Sequence, residues 1–167
     1  MSLKTDVSLR IQAALASVLD LVQAQANLDQ VFTLGLTTGV GLNQADQVFS
    51  DERTLTTAQS EDLDLSGTAL QNALGVNIAL VKLKLLLVVA DPTNTTNITL
   101  QKASSNGVAF LAGTTPGFTL KPGGAFLIFD PSLAAITVTA TTGDLINLTN
   151  GSGASAKYKI IVIGTTA

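Results

Sequence analysis

The chain has 167 residues, of which 46% are hydrophobic, 13% charged and 4% aromatic, and it contains no Cys, His or Trp. That length suffices for one domain with a substantial core, and such a core needs no disulfide or metal to hold it. Without Cys and His, thiol nucleophiles, Ser-His and Cys-His pairs, haem ligation and thiolate or imidazole zinc sites are excluded.

Nine basic residues face twelve acidic ones, for a net charge of −3. A phosphate backbone is held by clustered Lys and Arg, whereas the basic residues here are scattered from Lys4 to Lys159, so nucleic acid is not expected as a partner. Few charges combined with a mean hydropathy of +0.43 is unusual for a surface that must stay soluble alone, and suggests that neighbouring subunits cover much of it. Charge at Lys4 and Asp6 argues against a secretory signal, and the longest apolar run, Leu85 to Ala90, falls far short of the ~20 residues of a membrane span. Synthesis in a cytoplasm, with no membrane partner, is the expectation.

Apolar residues at Val7, Ile11, Ala14, Val18, Leu21, Leu28 and Phe32, with Gln25 as the polar member, fall at alternating spacings of four and three. That spacing predicts a helix from about Val7 to Asn27, capped by Thr5 or Asp6 and filled by Ala, Gln, Leu and Arg. The stripe Val7, Ile11, Val18, Leu21, Leu28 and Phe32 is the candidate interaction arm. It reads either as a heptad seam joining identical chains or as an amphipathic helix docked on its own or a neighbouring subunit.

From Val31 the pattern turns to strands. Phe32, Leu34 and Leu36 alternate with Thr33, Gly35 and Thr37, ahead of Gly39-Val40-Gly41. Arg53 to Leu65 predicts one or two strands, with Leu63 and Leu65 on one face and Asp62 and Asp64 on the other. Val81 to Ala90, ended by Asp91-Pro92-Thr93-Asn94, predicts a strand buried on both faces. Strands are also expected at Asn97–Lys102, Phe118–Lys121, Ala125–Phe129, Ile136–Ala140, Leu145–Thr149 and Tyr158–Ile163. Asn106-Gly107 favours a hairpin turn and Pro122-Gly123 a type II turn. Eight or nine strands at spacings near ten residues, with no helices between them, predict an all-β fold: an antiparallel β-sandwich of jelly-roll type with an N-terminal helix or arm. The expected division is an arm over 1–50 and a sandwich domain over 51–167.

Sites with chemistry are few. Asp51, Glu52, Glu61, Asp62 and Asp64 form the one acidic cluster, but glycoside hydrolysis needs a carboxyl pair at a set separation and usually aromatic platforms, and the chain has six Phe, one Tyr and no Trp. The alternation with Leu63 and Leu65 makes Asp62 and Asp64 the solvent face of a strand, where charge discourages edge pairing. Calcium takes oxygen ligands, yet no spaced calcium loop is present. Gly35, Gly39 and Gly41 do not build a phosphate cradle. Asn94, Asn97, Asn147 and Asn150 read as turn residues. Asp51 and Arg53 flank Glu52 and offer a salt bridge, local or intersubunit, and are the candidate intersubunit polar contacts.

The segments Asp46 to Leu55, Ser60 to Leu65, Pro122-Gly123-Gly124, Val138 to Leu145 and Tyr158 to Gly164 together resemble structural proteins of tailed bacteriophages, over most of residues 46–164. The first thirty residues fall outside the resemblance. It implies a capsid cement or decoration subunit: a small β-sandwich, commonly a homotrimer, on the outside of the head, clamping neighbouring major capsid proteins. No catalytic motif, cofactor or metal site comes with it. The implied location is the virion, on the capsid surface, and a tail, fibre or baseplate component is the alternative within the same class. A carbohydrate-binding sandwich is a further alternative, disfavoured by the scarcity of aromatic residues.

Overall fold

The computed structural model describes residues 2–18, 23–113 and 116–167. Among them there is no α-helix, and they form twelve strands. The first two, β1 (Thr5–Val18) and β2 (Gln23–Thr38), pair antiparallel from Thr5 opposite Leu36 to Val18 opposite Gln23, and Thr37 and Thr38 of β2 go on to pair parallel with Gln44 and Ala45. The expected helix over Val7–Asn27 is therefore corrected to a long β-ribbon, and Thr5 and Asp6 open a strand instead of capping a helix. The period-2 alternation of Val7, Leu9, Ile11 and Ala13 with Ser8, Arg10 and Gln12 is what the pairing uses. Leu21 lies outside the described residues.

The body follows. It comprises β3 (Gln44–Ala45), β4 (Gln47–Leu55), β5 (Ser60–Asp64), β6 (Lys82–Ala90), β7 (Ile98–Lys102), β8 (Gly117–Leu120), β9 (Ala125–Phe129), β10 (Ile136–Thr137), β11 (Leu145–Asn150) and β12 (Ala156–Thr165). The expected division between residues 50 and 51 falls inside β4. One antiparallel sheet runs β4-β12-β6, with β9 and β10 both paired to β6; the other runs β5-β11-β7-β8.

Alternation along the strands sends one set of side chains into a single apolar cluster shared by both sheets. Tyr158, Ile160 and Val162 of β12 and Leu86 and Val88 of β6 meet Leu63 of β5, Leu100 of β7 and Ile146 and Leu148 of β11 there. Each such side chain removed from water contributes roughly 1.5–3 kcal/mol. Leu63 and Leu65 are buried and Asp62 exposed, as the alternation predicts.

Turn chemistry is also in its expected places. Gly123 has φ 77°, and Gly124 N donates 2.7 Å to Lys121 O, which is the type II geometry predicted at Pro122-Gly123. This turn does not join hairpin partners, because β8 and β9 lie in different sheets. Asn106 turns at φ 55°, yet the next strand begins only at Gly117. The stretch expected as a strand over Ile136–Ala140 keeps only Ile136–Thr137.

Candidate interaction site

The ribbon sorts its residues by face. Val7, Leu9, Ile11, Ala13 and Leu15 of β1 stand opposite Leu34, Phe32, Gln30, Leu28 and Ala26 of β2, so one face is apolar and carries no charge. The other face holds Asp6, Ser8, Arg10, Gln12, Asn27, Asp29 and Thr33. There Arg10 grips Asp29 through both carboxylate oxygens, at 3.0 and 2.7 Å, with Gln12 Nε2 at 3.4 Å. Of the candidate arm residues, Val7, Ile11, Leu28 and Phe32 share the apolar face. Val18 closes the ladder opposite Gln23 in backbone register.

Only the root of this face is covered. Leu36 is 1% exposed and, with Ala45, Leu85 and Ile163, forms a second buried cluster against which Leu3, Val7, Val48 and Leu87 pack. This cluster lies on the face of the first sheet that points away from the main core. Leu3 N donates to Thr38 Oγ1 at 2.6 Å, and Thr38 Oγ1 donates to Leu3 O at 2.8 Å, tying the start of the chain to the end of β2. Beyond the root, Leu9, Ile11, Leu28 and Phe32 are about half exposed, and Leu15 is 75% exposed. Between the ribbon and the sheet opens a cleft of about 350 Å³, walled by Val7 and Leu9 on one side and Leu85, Leu87, Leu127 and Ile161 on the other.

The connection from ribbon to body depends on two local devices. Gly39 adopts φ 142°, a backbone conformation that L side chains rarely take, where the chain leaves β2. Nearby, the β6–β12 register slips between Ile163 and Gly164, which inserts Lys84 as an extra residue. Lys84 is fully buried, and its ammonium donates to the carbonyls of Gly41, Pro131 and Ser132, bringing the loop after β2 against the loop after β9. Burial holds the Lys84 pKa below the usual lysine value, with Asp130 opposing that effect and Lys82 adding to it.

The polar candidates come together inside the chain. Arg53 Nε lies 3.0 Å from Asp51 Oδ2, and its Nη1 lies 2.8 Å from Glu61 Oε2. The guanidinium also sits 5.8 Å from the centre of the Phe49 ring. Glu61 in turn accepts from Tyr158 Oη at 2.5 Å. Burial, then the Glu61 hydrogen bond and charge, push the Tyr158 phenol pKa well above its ordinary value. The sequence offered Asp51 with Arg53, and Glu61 in the acidic cluster, but not Tyr158 and not the pairing of Glu61 with Arg53, since that pairing crosses between sheets.

The acidic cluster is engaged in the fold. Asp62 Oδ1 accepts from Asn147 Nδ2 at 2.7 Å, and Asp64 Oδ1 accepts from the backbone N–H groups of Ser66 and Gly67 at 2.9 and 2.8 Å. Among the described residues no group of three or more such side chains converges in a metal-binding arrangement. On the outward face of the second sheet, Ser60, Thr149, Thr99 and Thr119 lie in one row across the four strands. Asn147 cross-links that face through Gln101 and Ser60, each at 2.8 Å. Asn150, read from sequence as a turn residue, is buried and donates to Leu55 O, Thr56 O and Ala154 O while accepting from Thr96 Oγ1.

No protein-family model, no curated protein and no solved structure matches the chain.

Proposed function

We propose that the chain is a non-enzymatic structural subunit of a tailed-phage virion: a capsid cement or decoration protein on a jelly-roll sandwich, acting as a homotrimer that clamps neighbouring major capsid proteins. One observation carries this reading. A ribbon of 14- and 16-residue strands leaves the two-sheet body with an uncharged apolar face that its own chain covers only at the root. A two-stranded ribbon is at best marginally stable in water, and an exposed apolar face of this extent marks an interaction surface. A strand of that length reaches about 45 Å, enough to cross onto a neighbouring subunit.

Other features support the same reading. Consecutive strands β4 and β5, β6 and β7, β8 and β9, and β11 and β12 fall in opposite sheets, and the orders β4-β12-β6-β9 and β5-β11-β7-β8 fit the strand order of a jelly roll. The resemblance of residues 46–164 to phage structural proteins points to the virion. Clamping a shell requires buried contact area and a rigid body, with no cofactor. The test is co-sedimentation of the tagged chain with expanded heads of the phage that encodes it. Retention on heads through washing is expected; recovery with tails, or with neither fraction, contradicts the reading.

A further inference from the structure

We draw no further inference here: the strongest candidate, the apolar edge strand β9 (Ala125–Phe129) on the far wall of the cleft beneath the ribbon, carries none because nothing in the structure shows what covers it.

Discussion

Tyr158 Oη donates a 2.5 Å hydrogen bond to Glu61 Oε1, 97 residues away in sequence, and so ties β12 of the first sheet to β5 at the edge of the second. Glu61 is held at its other oxygen by Arg53, which is itself held by Asp51. The four side chains form one chain of contacts across the seam where the two sheets meet. A hydrogen bond to a charged group contributes about 1.5–3 kcal/mol, so Tyr158→Phe should lose about that much stability at pH 7, read by urea denaturation.

The same phenol sets an alkaline limit. Its folded-state pKa is raised, so the neutral form is the one the fold holds. The contribution is complete below the unfolded tyrosine value of about 10 and is lost as pH rises beyond it. The stability gap between the wild type and Tyr158→Phe should therefore be constant from pH 6 to 9 and shrink above pH 10. A gap that widened in that range would contradict the assigned cause.

Lys84 holds the root of the ribbon to the body. Replacing it with Met removes the cost of burying a charge but leaves the carbonyls of Gly41, Pro131 and Ser132 without their donor. The second effect should prevail, at about 1–3 kcal/mol. Hydrogen exchange is the informative readout, with faster exchange expected at residues 39–45 and 130–135 and none of comparable size in β11.

Asn150, buried at the end of β11, shares its two amide N–H donors among the carbonyls of Leu55, Thr56 and Ala154. Asn150→Ala should cost about 2–3 kcal/mol by removing their donor, seen as a fall in the thermal midpoint, whereas Asn97→Ala at an exposed position should cost less.

Gly164 marks the other side of the bulge. A Cβ there would fall 2.2 Å from Lys82 O and 2.9 Å from Leu80 Cδ1. Gly164→Ala should destabilise by about 1–3 kcal/mol, measured by the denaturation midpoint, because the backbone oxygen cannot move without breaking the β6–β12 register.

Much of the body was legible in sequence, because strands such as β7 and β11 alternate buried and partly exposed residues along their length. Leu63 and Leu65 against Asp62 are a further instance, and Pro122-Gly123 announced its type II turn. The ribbon was misread because Val7 and Ile11, like Leu28 and Phe32, share a face at spacing four in either a helix or a strand. Ala, Leu and Gln then tipped the local preference toward helix. What decides is nonlocal: the ladder between β1 and β2, and Val7 and Leu36 packed on Leu85 and Ile163. Lys84 was hidden for a related reason, since a lysine in a run read as apolar on both faces has its carbonyl partners only in the loops after β2 and β9, far away in sequence. The seam from Asp51 to Tyr158 needed the crossing between sheets, which spacing along the chain does not record.

In the proposed homotrimer the apolar ribbon face is covered by other copies. The most direct measurement is sedimentation equilibrium of the intact chain beside a Leu15→Asp, Leu28→Asp variant, both at tens of micromolar. The intact protein is expected at a mass three times the 17.1 kDa chain, and the variant as a folded 17.1 kDa monomer. An intact chain that sediments as a 17.1 kDa monomer, or a variant that remains trimeric, would contradict it.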